Sequence, residues 1–126
     1  MPRLRDIVVD CANAAALARF WAAALEGYAV RAYDDAEIAR LAALGLTPDT
    51  DPTVMVDGPG PSLCFQQTDR GRPAPGRWHL DLMGGPRAEE VSRLLTLGAR
   101  VRDDHEEWTV MLDPEGNPFC VLEPRP

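Results

Sequence analysis

Few side chains in this sequence of 126 residues belong to types that commonly carry out chemistry. There are two histidines, His79 and His105, and three cysteines, Cys11, Cys64 and Cys120. All thirteen basic residues are arginine, so a Schiff-base lysine and a lysine-containing phosphate loop are excluded. Neither of the two serines lies in a Gly-x-Ser-x-Gly nucleophile motif. Most familiar catalytic constellations are therefore absent, because the residues they need are missing.

The polar residues that remain alternate with apolar residues along predicted strands. Leu80 and Leu82 share one face of a strand with Trp78, which places His79 and Asp81 on the other face. Leu63 and Phe65 are likewise opposite Cys64 and Gln66. The residues predicted to lie opposite their strands' apolar stripes are Asp6, Val8, Asp10, Cys64, Gln66, His79, Asp81, Cys120 and Leu122.

Polar groups on the concave face of a sheet are costly unless they are paired, hydrated or functional. We interpret them as the lining of a pocket that orients a small molecule. The alternative is an internal hydrogen-bond network in which His79 bonds to Asp10, Asp81 or Gln66. Trp108 begins a strand beside an acidic run, and it either lines the mouth of this cavity or covers the core. Trp21 and Cys11 fall on apolar stripes and are assigned to the core.

Hydrophobic periodicity predicts one α+β domain over residues 1–126, made of two βαβββ modules. Module one spans about residues 1–68, a Gly-, Pro- and Arg-rich linker about 68–76, and module two about 77–126. The predicted helices are Ala14–Glu26 with Asn13 as its N-cap, a short helix from Asp34 or Asp35 to Leu44, and one that follows Pro86 and stops at Gly98. The predicted strands are Leu4–Asp10, Tyr28–Tyr33, Thr53–Val56, Ser62–Gln67, Arg77–Met83, Ala99–Arg102, Trp108–Leu112 and Phe119–Glu123. Pairing the two curved sheets would make a half-open barrel with the helices outside.

Composition narrows the classes of partner. The net charge of −7 argues against binding nucleic acid, and no apolar run is long enough to span a membrane. We find no signal-peptide pattern at the N-terminus. The three widely spaced cysteines argue against a disulfide framework, so a cytoplasmic location is expected. Arg70, Arg72 and Arg77 near the linker either receive an anionic ligand group or form a solvated loop.

Several segments together resemble the glyoxalase-like proteins of the vicinal oxygen chelate (glyoxalase/bleomycin resistance/extradiol dioxygenase) superfamily. They cover nearly the whole chain, most weakly from Tyr33 to Pro61. The segment Trp78–Leu82 and the closing segment Asp113–Leu122 are the more specific ones when taken together. The others are Val8–Cys11 followed by the alanine-rich helix with Phe20 and Trp21, and Leu63–Gln66.

The resemblance implies where a metal would bind. Metal-using members take one ligand, usually His, Glu or Gln, from each of strands one, four, five and eight. These positions correspond to Asp6, Cys64, His79 and Cys120, of which only His79 keeps the usual type. We therefore predict no catalytic divalent metal and no glutathione-dependent lyase activity. The same four residues could alternatively form a zinc site, or both cysteines could be small buried apolar residues.

The expected function is that of a small-molecule binding or sequestering protein, similar to the drug-binding resistance members and without a catalytic metal. One alternative is a metal-dependent lyase, isomerase or dioxygenase, and another is a protein-interaction domain. Whether any reaction is catalysed is left open. The predicted partner is a small molecule rather than nucleic acid or membrane, and a homodimer is implied by the resemblance. The candidate ligand-binding residues are Asp6, Cys64, Gln66, His79, Asp81, Trp108 and Cys120.

Overall fold

The computed structural model describes residue 1 and residues 3–68 and 79–124. These residues form eight strands and three helices. In chain order the elements are β1 (Asp6–Cys11), α1 (Ala14–Ala24), β2 (Ala29–Val30), α2 (Asp35–Ala43), β3 (Thr53–Asp57), β4 (Ser62–Gln67), β5 (Leu80–Met83), α3 (Arg87–Thr96), β6 (Arg100–Asp104), β7 (Trp108–Leu112) and β8 (Pro118–Leu122). None of the described helices is long and apolar enough to cross a membrane.

The chain divides into two compact units, Met1–Arg72 and Pro73–Pro126, each with one four-stranded sheet. The strand order is β1-β4-β3-β2 in the first sheet and β5-β8-β7-β6 in the second. In both, the first and last strands of the module are parallel and the remaining pairs are antiparallel. The predicted α+β architecture of two βαβββ modules is confirmed. The predicted linker lies largely outside the described residues, as do Arg70, Arg72, Arg77 and Trp78.

The core of the first module lies between α1 and its sheet. The side chain of Asn13 accepts a hydrogen bond from the backbone N–H of Ala16 at 3.1 Å, so the predicted N-cap is confirmed. Helix α1 packs against β2, β3 and β4. Its apolar stripe, which includes Leu17 and Trp21, is buried together with Phe65. Cys11 is buried as well, as predicted.

The second module repeats this arrangement. Helix α3 packs against β6, β7 and β8, and Leu94 of the helix is buried with Met111, Phe119 and Val121 of the sheet. Gly98 ends the helix with φ +110°, a conformation that favours glycine. The next residue of the helix, Leu95, is exposed.

Some strand boundaries were predicted wrongly. The second strand, expected over Tyr28–Tyr33, is only Ala29–Val30, because Tyr33 leaves the sheet and donates its hydroxyl to the buried Asp51 at 2.8 Å. The sixth strand runs to Asp104 rather than Arg102, with a register shift between Val101 and Asp103. Such a bulge lets a strand continue past a residue that does not fit the ladder.

Candidate functional site

Each sheet has one face that packs against its helix and an opposite face that we call the open face. On the first sheet, Leu63 and Phe65 are buried against the helix side, whereas Cys64 is half-buried and Gln66 is exposed. Because paired strands share their faces across the ladder, Val8 and Met55 lie beside Cys64 on the open face. Asp10 and Thr53 flank Gln66 in the same way.

Acidic groups at one end of the first open face are paired with arginines. Asp6, beside Ser62 in the ladder, forms a 2.9 Å ion pair with Arg5. Asp57 accepts hydrogen bonds from Arg31 at 2.8 Å and from the Ser62 hydroxyl at 2.6 Å. The Arg31 guanidinium and the Ser62 hydroxyl together lower the pKa of Asp57 to about 2. This end of the face is already neutralised from within the module.

The open face of the second sheet is organised differently. Its central row consists of Asp81, Cys120 and Val110, which are direct neighbours across β5, β8 and β7. An apolar row, made of Met83, Leu122 and Trp108, lies next to it, two residues along each strand. Met83 is 54% exposed and Trp108 is 39% exposed. Two large apolar side chains therefore lie open to solvent beside a carboxylate and a thiol.

Three potential ligand atoms meet at one end of this face. His79 immediately precedes β5, and its Nε2 lies 3.1 Å from Oδ1 of Asp81. Both side chains are about half exposed, at 52% and 53%. One ligand atom from each of His79, Asp81 and Cys120 lies within 4.8 Å of the other two. The His79–Asp81 pair is one of the hydrogen bonds proposed as an alternative to a pocket, although it is exposed rather than internal.

The surroundings of both open-face cysteines raise the pKa of their thiols. Burial, and after it the charge of Asp6, raises the pKa of Cys64. Burial, and after it the charge of Asp81, raises the pKa of Cys120. Since the thiolate is the reactive form of cysteine, these surroundings do not activate either residue as a nucleophile. None of the three cysteines, Cys11, Cys64 and Cys120, forms a disulfide bond.

Trp108 lies at the end of a hairpin, residues 103–108, that we call the acidic hairpin. The rings of His105 and Trp108 are stacked with their centroids 4.5 Å apart, and the His105 N–H donates to the Trp108 carbonyl at 2.8 Å. Arg87, at the start of α3, donates to the carbonyls of His105 and Glu106, each at 2.8 Å. Its Nε also lies 2.9 Å from Glu123. These bonds hold the backbone beneath the Trp108 ring in place.

The structure thus gathers the predicted site residues into two groups. Asp6, Cys64 and Gln66 share the open face of the first sheet, and His79, Asp81, Trp108 and Cys120 share or border that of the second. His105 is exposed. Sequence inspection missed Arg87, because an arginine in the first turn of a helix gives no local signal of the hairpin it contacts.

The residues present fit a catalytic divalent metal poorly. Of the four positions implied by the resemblance, two are cysteine where His, Glu or Gln is usual, and Asp6 is already paired with Arg5. His79 and Asp81 could each supply one donor atom, with Cys120 as a third only after losing its proton. Hard divalent ions such as Mg²⁺ and Mn²⁺ prefer oxygen ligands over cysteine sulfur.

Comparisons with known proteins agree with this architecture. Residues 6–122 match the family model of the glyoxalase-like domain. No curated protein matches the sequence significantly. Among solved structures, a glyoxalase/bleomycin resistance protein/dioxygenase family enzyme from Burkholderia phytofirmans PsJN is similar with a TM-score of 0.71 at 12% identity, covering 97% of this chain and 98% of the other.

Two further structures show the same fold at low identity. A glyoxalase-related enzyme from Fulvimarina pelagi has a TM-score of 0.62 at 15% identity, covering 98% of this chain and 88% of its own. A glyoxalase/bleomycin resistance protein from Albidiferax ferrireducens T118 has a TM-score of 0.55 at 17% identity, covering 97% of this chain and 98% of its own. At identities this low, the similarity shows a shared fold alone.

Proposed function

This chain belongs to the glyoxalase-like domain family, and so to the vicinal oxygen chelate superfamily, and we propose that it binds or sequesters a small organic molecule without a resident divalent metal. The observation that carries the proposal is the open face of the second sheet. There, the apolar row with exposed Met83 and Trp108 lies next to the row of Asp81, whose carboxylate is paired with His79. Small-molecule sites combine mostly apolar walls with a few polar groups in this way.

The presence of Cys64 and Cys120 at positions where metal-using members usually have His, Glu or Gln supports the metal-free part of the proposal. A neutral thiol donates and accepts only weak hydrogen bonds, so it acts on a bound molecule mainly as a small apolar contact. His79 and Asp81 remain as the groups able to orient a polar substituent. A cytoplasmic location and assembly as a homodimer are part of the same proposal.

A melting-temperature screen against a library of small organic molecules tests the proposal. A molecule present at about 100 times its Kd adds about 2.7 kcal/mol to the free energy of unfolding, which raises Tm by several degrees. We expect hits with the wild type and none with a folded His79→Ala, Asp81→Ala double variant. The control is Asp35→Ala on α2, which should keep the hits. Full affinity in the His79, Asp81 double variant would contradict the proposal.

A metal-dependent enzyme is the second candidate, and the meeting of His79, Asp81 and Cys120 ligand atoms within 4.8 Å favours it. Elemental analysis of protein purified without chelators separates the two. We expect far less than one equivalent of Zn, Ni, Mn or Fe. Near one equivalent, lost on His79→Ala, would establish the second candidate. Robust turnover of the methylglyoxal–glutathione hemithioacetal would likewise contradict the first.

A further inference from the structure

The apolar row of the second sheet ends in a flat aromatic surface whose backbone is fixed by hydrogen bonds. The rings of His105 and Trp108 are stacked, with their centroids 4.5 Å apart and an interplanar angle of 28°, and both residues are exposed. Their backbones are joined by the His105 N–H to Trp108 carbonyl bond and bound by Arg87. An aromatic side chain that is held in place but left exposed loses little conformational entropy when a flat molecule stacks on it.

In residues 79–124 of the second module, carboxylates outnumber arginines around this surface. The acidic hairpin contains Asp103, Asp104, Glu106 and Glu107, and Asp81 lies in the adjacent central row. Arg102 is paired with Asp103 at 2.9 Å, and Arg87 is paired with Glu123 and two carbonyls. In the described part of the chain, no arginine pairs with Asp81, Asp104, Glu106 or Glu107.

The one other arginine on the described strands of this sheet lies away from the aromatic surface. Arg100 is the cross-strand neighbour of Leu112, at the far end of β7 from Trp108. Four residues of extended strand separate the two positions by about 13 Å at roughly 3.3 Å per residue. That distance exceeds the screening length of about 8 Å at physiological salt. Among the described residues, the surface near Trp108 and Asp81 is therefore acidic on balance.

We infer that the molecule bound at this face is an organic cation with a flat apolar body. The inference rests on the proposed function and specifies its ligand class. The flat body lies on the row of Met83, Leu122 and Trp108, where it removes exposed apolar surface from water. The cationic group lies towards the Asp81 carboxylate, two residues along β5 from Met83. The Trp108 ring also attracts a cation placed over its face.

Three probes that share one ring system and differ in charge test the inference. They are N-methylquinolinium, which is cationic, quinoline, which is neutral near pH 7, and quinaldate, which is anionic. Binding to the full chain is measured by isothermal titration calorimetry at low and at moderate salt. We expect N-methylquinolinium to bind roughly tenfold more tightly than quinoline, with the advantage falling as salt rises, and quinaldate to bind most weakly.

Variants assign the preference to this face. Asp81→Asn should remove the advantage of N-methylquinolinium over quinoline, and Asp81→Glu should retain most of it. Trp108→Leu should weaken both probes roughly fivefold or more, since it removes the stacking surface. Asp35→Asn, which removes the same charge from α2 of the first module, is the matched control and should leave all affinities unchanged. Circular dichroism establishes that each variant is folded.

The outcomes separate this inference from the proposed function. Equal binding of the three probes, or a preference for quinaldate, overturns the cation inference and leaves a small-molecule site standing. A cation preference that survives Asp81→Asn also overturns it. If none of the three probes binds, the inference is wrong. The library screen then decides the proposed function by itself. Hits that are lost in the His79, Asp81 double variant support the proposed function, and an absence of hits contradicts it.

Discussion

The open faces of the two sheets can be compared position by position, because β1 pairs with β4 in the same parallel manner as β5 with β8. Aligning Cys64 with Cys120 sets Val8 against Asp81 in the neighbouring strand. The same alignment sets Asp6 against His79. The first module thus has an apolar residue where the second has a carboxylate, and a carboxylate where the second has an imidazole.

In the next row along the strands, the polar residues belong to the first module and the apolar residues to the second. Asp10, Gln66 and Thr53 in the first module correspond to Met83, Leu122 and Trp108 in the second. The first face is therefore polar at the row where the second is apolar. Its acidic end is neutralised by Arg5 and Arg31, whereas Asp81 has only His79 as a partner among the described residues. Two modules with the same topology and similar cores have diverged on one face, and that divergence locates the proposed site.

The largest expected effect tests the similarity of the two cores. Phe65 and Phe119 are both fully buried on the helix sides of their sheets. We expect Phe65→Ala and Phe119→Ala each to lower the free energy of unfolding by about 3–5 kcal/mol, since each leaves a cavity. Val8→Ala on the open face should cost less than about 1 kcal/mol. Urea denaturation measures all three, and a Phe119→Ala cost as small as that of Val8→Ala would show that the cores are not alike.

The next effect concerns Arg87, which has no counterpart at the start of α1, where Ala14 stands. Arg87 has a side chain only 16% exposed and bonds to two carbonyls and Glu123. We expect Arg87→Met to lower the free energy of unfolding by about 1–3 kcal/mol and to weaken binding of N-methylquinolinium, because the acidic hairpin loses its support. Arg93→Met, on the same helix in an exposed pair with Glu90, should cost no more than about 1 kcal/mol. Equal costs would mean that the hairpin is held by other contacts.

Exchanging the central-row residues addresses the comparison directly. Asp81→Val makes the second face resemble the first, and Val8→Asp does the reverse. We expect Asp81→Val to weaken N-methylquinolinium about tenfold, equivalent to about 1.4 kcal/mol, and Val8→Asp to change it by less than about twofold. Calorimetry with folded variants provides the values. A gain of binding on Val8→Asp would place the site on the first sheet instead.

The smallest effect is a dependence of stability on pH that belongs to the first sheet alone. The pKa of Asp57 is lowered to about 2 by Arg31 and Ser62, whereas the corresponding position of β7 is Leu112. A lowered pKa in the folded state contributes stability above the unfolded pKa of about 3.9, and this is lost as the pH falls towards 2. Because the Asp57 side chain is 42% exposed, solvent screening keeps the contribution below about 1 kcal/mol.

Urea midpoints measured between about pH 5 and pH 2.5 test this effect. Asp57→Asn should reduce the loss of stability on acidification, and Ser62→Ala should reduce it by a smaller amount. Asp35→Asn, on the same module, serves as the control. An unchanged slope in Asp57→Asn would show that other carboxylates carry the acid sensitivity.

Alternation along the chain was sufficient to predict several elements. The bounds of Ser62–Gln67 and Trp108–Leu112 match the prediction, and the buried and open faces of β4 follow from the spacing of Leu63 and Phe65. Asn13 and Gly98 mark helix ends, because capping and positive φ depend on residues within one turn. The short β2 and the bulge in β6 were not predictable, since Tyr33 departs to reach Asp51 and β6 adjusts to β7.

By itself, the sequence determined the two βαβββ modules, the side of each strand that faces the helix, and the loss of most usual metal-ligand types. These properties depend on residue type and on periods of two or about 3.6 residues, which are local. Only the tertiary structure decided that Asp81 and Cys120 are ladder neighbours, that Met83, Leu122 and Trp108 form one row, and that Arg87 supports the acidic hairpin. Those contacts join residues far apart in the chain, and strand register and helix placement determine them.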